Sequence, residues 1–335
     1  MKFVESHSND AEYNLAFEEF IFKNLPLDGD EEYVYLWIND KAVIIGKNQN
    51  AWAEINENFL EESGTKLVRR ITGGGAVYHD LGNLNFSFIT KDKGQGKIDF
   101  STYYVPIVEA LKKIGVPAEL SGRNDITVDG KKVVGASQSI WKGRVLSNGC
   151  MLFDVQMENL AQALKVRPEK LKSKGVTSVK ARVTNIKPYL DSAVTVEDFK
   201  EVLLKELFIQ RGEEVKEYKL SDAELKEVEE IKAKRFGNKN WNWGKSPKGS
   251  FSKGIKFPQG FIETSFDVEK GKLANVKILG DYFGTADSVE VESALDGQNY
   301  NKHDILEVLK DIDLEKYFGS GLEAENILHL FFDED

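Results

Sequence analysis

A single cysteine, Cys150, stands among 335 residues. One thiol excludes an internal disulfide framework and fits a reducing compartment. Its neighbours Asn148, Gly149, Met151 and Leu152 place it at the start of an apolar strand, where a small buried hydrophobe is expected rather than a nucleophile. Histidine is also scarce. His7, His79, His303 and His329 are dispersed, and with one cysteine they suggest no zinc-type cluster. No uninterrupted apolar stretch approaches the roughly 18 residues needed to span a bilayer. The first ten residues lack the apolar core of a secretory signal and the Arg-rich, acid-poor character of a transit peptide, so a cytoplasmic protein without a membrane partner is expected. Positive charge is in deficit too: 45 Lys and Arg against 55 Asp and Glu leave a net charge of -10. Such a surface repels a polyanion, which argues against nucleic acid as the main partner.

What remains is an ordinary globular chain, 41% hydrophobic and 30% charged, long enough for about two domains. Asp10 caps a helix whose apolar positions Tyr13, Ala16, Phe17 and Phe20 follow helical spacing. Tyr33 to Ile38 and Ala42 to Gly46 read as two strands of a hairpin joined at Asn39 and Asp40. Leu84, Phe86 and Phe88 alternate with Asn85 and Ser87, the pattern of a half-buried strand. The strongest hairpin signal is Asp125 to Val128, the Asp129-Gly130 turn, and Lys132 to Val134, because Asp-Gly supplies the positive φ angles of a type I′ turn. Helices are predicted over Asn56 to Ser63, Ser101 to Ile114, Glu158 to Leu164, Val196 to Phe208 and Ser221 to Phe236, the last opened by a Ser221–Glu224 capping box. Asn238 to Lys256, with Trp241 and Trp243, is the expected linker. Its Gly244-Lys245-Ser246 is no P-loop: position 239 is Lys and Pro247 follows where a helix should continue. Phe257 to Asp335 reads as a small α+β unit built on strands Gly260 to Val268 and Leu273 to Leu279.

The centre of the sequence is Val68 to Asn85. β-Branched and basic residues lead into Gly73, Gly74 and Gly75, and an apolar run follows, which reads as strand, tight glycine turn, strand. Three adjacent glycines at a strand-like site mean that something comes close to the loop. With Arg69 and Arg70 before the turn and His79 after it, an anion would find backbone N–H donors and a guanidinium fork. A second charge feature is the basic run Lys170, Lys172, Lys174, Lys180 and Arg182 inside an acidic protein, either a solvated loop or the receiver of an anionic ligand or acidic partner.

Arg69-Arg70-Ile71-Thr72-Gly73-Gly74-Gly75-Ala76-Val77-Tyr78-His79-Asp80-Leu81-Gly82-Asn83 resembles the signature of the lipoate-protein ligase A family. Further matches in the same order are Gly122-Arg123-Asn124-Asp125 with Lys131 to Ser137, Lys174 to Asn185, and Trp243-Gly244-Lys245-Ser246-Pro247. The resemblance implies a biotin/lipoate-ligase-like (class II synthetase-like) α+β fold, a mixed sheet domain flanked by helices over residues 1–245 and a small C-terminal α+β domain over 246–335. It implies an enzyme that uses ATP and Mg²⁺ to convert lipoate to lipoyl-AMP, releasing pyrophosphate. The lipoyl group would then pass to a lysine of an E2 lipoyl domain or of the glycine-cleavage H protein.

Lys132 matches the family's active-site lysine. Arg70, Gly73, Gly74, Gly75, Ala76, Val77 and Tyr78 would hold the nucleotide, joined by Lys174, Gly175, Val176 and Thr177 of the adenylate-binding loop. Arg70, Lys132, His79, Asn83 and Trp37 would contact lipoate, with Val77 in the apolar tunnel. Asp125 would bind Mg²⁺, orient Lys132 or pair with Arg123. An acidic acceptor would meet a basic face near Lys170 to Arg182. Two readings of other classes stay open: an octanoyl or lipoyl transferase working through a Cys150 thioester, and a lipoate-binding scaffold without catalysis.

Overall fold

The structure, a computed structural model, describes all residues except 94–98, 123–124, 166–181, 244–249 and 333–335. The chain begins with β1 (Lys2–Val4), α1 (Ala11–Asn24), β2 (Tyr33–Trp37), β3 (Ala42–Ile45), α2 (Ala51–Glu54), α3 (Glu57–Ser63), β4 (Lys66–Arg69) and β5 (Val77–His79). It continues through β6 (Asn83–Lys91), α4 (Ser101–Lys113), β7 (Glu119–Ser121), β8 (Asp125–Val128), β9 (Lys131–Trp141), β10 (Arg144–Leu152), α5 (Met157–Ala163), α6 (Val196–Ile209), α7 (Asp222–Ile231) and α8 (Lys239–Trp243). The C-terminal unit holds β11 (Phe251–Phe257), β12 (Gly260–Glu269), β13 (Lys272–Gly280), α9 (Val289–Leu295), α10 (Lys302–Lys310), α11 (Leu314–Phe318) and α12 (Ala324–Leu328).

A seven-stranded mixed sheet in the order β1-β2-β6-β10-β9-β8-β7 forms the body of the molecule. One face carries Leu36, Phe86, Met151 and Val134 into a core with α4 and α6. The other face packs Tyr35, Trp37 and Leu146 against α1, and Val228 of α7 joins the same cluster. A second, three-stranded sheet, β4-β3-β5, lies over that face. Its Ala42, Ile44 and Val68 point toward the large sheet, while Val43, Ile45 and Leu67 face a separate core with α3 and α5. Two sheets thus face each other, and the gap between them holds the site. Among the described residues no helix is long and apolar enough to cross a membrane.

Three sequence expectations need correction. Residues 33–38 and 42–46 form no hairpin: β2 pairs with β1 and β6 in the large sheet, whereas β3 pairs with β4 and β5 in the small one. Asn39 at their junction is fully buried, and its amide is used elsewhere, as shown below. The glycine segment is no tight turn between paired strands. β4 and β5 flank β3 on opposite sides, so residues 70–76 cross over it. The expected linker also contains ordered elements, α8 and β11. Asn242 of α8 is buried and accepts the Arg69 backbone N–H at 2.9 Å.

The C-terminal sheet β11-β12-β13 is antiparallel and buries its own core against α9 to α12. It meets the larger unit beside the glycine segment. Phe283 joins the core of the large sheet and meets Phe100 edge-on at 5.3 Å. Gly280 N–H donates to Asn48 O at 3.0 Å, and Lys47 pairs with Asp287 at 2.9 Å.

Candidate active site

Register on the large sheet brings one residue from each of five strands into a row: Trp37, Asn85, Cys150, Gly135 and Asp125. Directly paired residues share a face, so this row paves a floor, and Tyr35, Ser87, Asn148 and Ser137 form the next row on the same face. Over the floor stand Ile44, Val77 and His79 from the small sheet, with Leu15 of α1 beside them. The cleft between them encloses about 580 Å³ of empty space, its open mouth included.

Lys132 is placed by the hairpin and by an irregularity within it. Asp129 and Gly130 adopt φ of 50° and 73°, the left-handed pair that a type I′ turn demands. Between Ile126 and Thr127 the register of β8 on β9 slips, leaving Val133 as an extra residue. Val133 and Val134 both enter the core. A bulge of this kind re-aims the neighbouring side chain, and Lys132 leans over Gly135. A Cβ at position 135 would stand 2.7 Å from the lysine Nζ, so any side chain there would displace the flexible end of Lys132. The ammonium pairs with Asp125 Oδ1 at 2.7 Å. The Lys132 backbone is held on both sides, donating to Arg182 O at 2.9 Å and accepting from Thr184 N–H at 3.0 Å.

Arg70 lies against the cleft and is almost fully buried, at 7% exposure. Among the described residues it donates only to neutral oxygens: Thr72 Oγ1, Gly73 O and Ile44 O. Burial pushes its pKa down to about 10, which leaves a desolvated cation at neutral pH. Behind it runs a polar thread. Thr72 and Ser137 hydroxyls meet at 2.6 Å, Ser137 donates to Asn148 Oδ1 at 2.5 Å, and Asn148 donates to Glu18 Oε1 at 2.8 Å. Ser87 also donates to Glu18 Oε1, and Trp37 Nε1 donates to Ser87 at 3.3 Å. Burial raises the Glu18 carboxyl, opposed by its two hydrogen bonds and by Arg70.

His79 is buried against the edge of the Trp37 ring, centroids 6.3 Å apart. Burial and then Arg70 push its pKa down to about 3, so the ring is neutral across the physiological range. Burial likewise raises the Cys150 thiol, against Lys132 and Arg70, which favour its anion.

Lys132, Arg70, Gly75, Ala76, Val77, His79 and Trp37 of the predicted set line the cleft together. Others do not. Gly73 and Gly74 are required by the chain's own packing: a Cβ on Gly73 would stand 2.6 Å from Tyr282 O, and one on Gly74 would stand 2.9 Å from the Phe283 ring. Gly75 alone of the three faces open space. Tyr78 packs in the core below the small sheet. Asn83 accepts from Asp80 N–H at 3.0 Å and closes a turn outside the cleft. Arg69 recruits no anion from this cleft either. Fully buried, it donates to the carbonyls of Gly46, Lys47, Gln49, Trp241 and Asn242, clamping the 46–49 loop to α8. Lys174, Gly175, Val176 and Thr177 lie outside the described residues, as does most of the basic run.

Cys150 lines the cleft near the end of β10, not at a strand start. The residues that sequence missed are Asn85, Ser137, Asn148 and Glu18. Their signal was the alternation of β6, read as one wet face, although Asn85 and Ser87 are 1% and 0% exposed. Among the described residues no three His, Cys, Asp or Glu side chains gather as a metal cluster. Asp125 alone suits a hard cation that arrives on phosphates, since Mg²⁺ bound in that way needs only one or two protein carboxylates.

Comparison with known proteins decides the family. Residues 10–208 match the lipoyl protein ligase A/B catalytic domain, and residues 246–331 match the bacterial lipoate protein ligase C-terminus. Lipoate-protein ligase LplJ of Bacillus subtilis (strain 168) is 43% identical over 334 residues, 99% of this chain and 100% of the relative. The chain belongs to the lipoate-protein ligase family. Lipoate-protein ligase 1 of Staphylococcus aureus is 43% identical as well, over 95% of this ligase and 96% of its own length. A crystal structure of Plasmodium falciparum LipL1 in complex with lipoate is 25% identical, covering 93% of this ligase and 94% of that chain at a TM-score of 0.76. A lipoate-protein ligase A bound with ATP is 27% identical, with 72% and 98% covered and a TM-score of 0.62. The bipartite ligase of Thermoplasma acidophilum, described with its E2 lipoyl domain, is 29% identical over 75% of this ligase and 98% of that chain, at a TM-score of 0.65.

Proposed function

We propose that lipoate lies along the floor row with its carboxylate at Lys132 and its dithiolane ring at Trp37 and His79, and that this ligase joins it to AMP before transfer to a protein lysine. The row itself carries the proposal. Trp37 and Gly135 are three strands apart, roughly 14 Å at ordinary sheet spacing, about the length of an eight-carbon acid ending in a ring. Relatives described with lipoate and with ATP support the choice of both substrates.

In the first step a carboxylate oxygen of lipoate attacks the α-phosphorus of ATP, a P–O bond forms, and pyrophosphate leaves. Negative charge grows on the α-phosphoryl oxygens, where the Lys132 ammonium and the Arg70 guanidinium stabilise it in a water-poor cleft. Mg²⁺ entering with ATP would neutralise phosphate charge, with Asp125 as its protein carboxylate. In the second step the acceptor amine attacks the acyl carbon, the C–O bond to AMP breaks, and the amine loses a proton. The acceptors are E2 lipoyl domains and the glycine-cleavage H protein, in the cytoplasm. Gly75 to Val77 and Lys174 to Thr177 serve the nucleotide, Asn83 holds the segment that presents His79, and residues 1–245 and 246–335 form the catalytic and accessory units.

The test is lipoate-dependent exchange of labelled pyrophosphate into ATP. Wild type is expected to exchange and Lys132→Ala to lose exchange. No exchange with lipoate or octanoate would sink the proposal. Cys150 on the cleft floor is the one observation that favours a thioester transferase. Its burial keeps the thiol protonated, and full activity of Cys150→Ser would eliminate that reading.

A further inference from the structure

His79 is the one group at the inner end of the cleft whose hydrogen-bonding state can be deduced, and the deduction starts two residues away. Asn14 is fully buried, and its Nδ2 faces the backbone carbonyls of Ser8 at 2.8 Å and Ile38 at 3.1 Å. Carbonyls only accept, so that atom is the donor. A second amide nitrogen would offer it no lone pair, so the Asn39 atom facing it at 3.0 Å is Oδ1, while Asn14 Oδ1 receives the hydroxyls of Ser6 and Tyr35. With its oxygen engaged, Asn39 presents its NH₂ group to His79 Nδ1 at 3.1 Å. Nδ1 must accept. A neutral imidazole that accepts at Nδ1 carries its proton on Nε2. That Nε2 is buried and has no partner among the described residues, and His79 borders the cleft beside Trp37.

We infer that the Nε2–H of His79 is a fixed donor that selects an acyl chain ending in a sulfur acceptor over a plain alkyl chain. The inference rests on the binding mode proposed above, which brings the far end of the substrate to Trp37. A dithiolane sulfur is a weak acceptor, yet it gives this donor a partner. An alkyl terminus fills the same space but leaves the donor as unsatisfied as it is in the free protein, so the N–H···S contact that only the sulfur-bearing chain makes sets the preference. Trp37 supplies shape, and His79 supplies chemical discrimination.

The test is equilibrium binding of lipoate and octanoate, without ATP, to wild type and His79→Phe, with thermal melting recorded for both. Wild type is expected to prefer lipoate by about tenfold. His79→Phe is expected to bring the two affinities within about twofold, chiefly by weakening lipoate. Equal weakening of both acids, or an unchanged ratio, would reduce His79 to a wall of the pocket and overturn the inference. If His79→Phe fails to fold, ¹⁵N-histidine NMR of wild type decides. The ring that does not titrate between pH 7 and 5 should carry its proton on Nε2, and lipoate but not octanoate should shift that proton. A proton on Nδ1 would contradict the inference. Failure of wild type to bind either acid would instead remove the lipoate reading beneath it.

Discussion

The two ends of the cleft hold ionisable groups in opposite ways. At Lys132 the ammonium keeps a carboxylate partner, Asp125, and Arg70 nearby is a cation whose hydrogen bonds among the described residues go to neutral oxygens. At Trp37 the imidazole of His79 is held neutral, and its tautomer is fixed through Asn39 and Asn14. One end can meet developing phosphate charge, and the other can only grip. The difference has a common cause in burial, which disfavours every charged form. Burial leaves Arg70 cationic because its pKa starts so high, and it leaves His79 uncharged because its pKa starts near neutrality.

The largest break in this contrast should come from removing charge at the mouth. Lys132→Ala is expected to reduce adenylation by roughly 10³-fold, far more than it weakens lipoate binding, as measured by pyrophosphate exchange beside a direct binding assay. Gly135→Ala is the subtler version. The new methyl would press against Lys132 Nζ and Cε, each 2.7 Å away, and a displaced ammonium should lower kcat by about 100-fold with little change in melting temperature.

At the neutral end the expected signature is a pH slope. Below about pH 6.5 the unfolded chain protonates His79, whereas the folded chain holds it neutral down to about 3. The unfolded state then binds the extra proton, so stability falls as pH drops through that window. His79→Phe should reduce the slope by about one proton in denaturation midpoints taken from pH 7 to 4. The smallest effect belongs to Lys47→Ala at the contact with the C-terminal unit. Its ion pair with Asp287 is partly exposed, 28% and 42%, and its loss should cost no more than about 0.5 kcal/mol by thermal melting.

Local chemistry made much of this legible in the sequence. Asp10 and the Ser221–Glu224 capping box start their helices as read, and the Asp129-Gly130 turn forms the hairpin that carries Lys132. What stayed hidden depends on long-range pairing. Asn39 looked like a turn residue because its neighbours are strands, but its amide serves Asn14 and His79 across the gap between two sheets. Asn85 and Ser87 looked solvated because polar residues on alternate positions usually are, and only the second sheet above them turns that face into a floor. Gly73 to Gly75 announced a close approach correctly, yet two of the three accommodate Tyr282 and Phe283 from more than 200 residues away, contacts that no local pattern encodes.

The most direct measurement of the cleft's geometry is adenylation across straight-chain fatty acids of increasing length, compared between wild type and Trp37→Ala. With the carboxylate fixed at Lys132 and Trp37 closing the far end, kcat/KM should peak near eight carbons in wild type, fall steeply beyond, and peak at longer chains in the variant. A peak that stays in place when Trp37 is truncated would contradict a substrate lying along the row from Gly135 to Trp37.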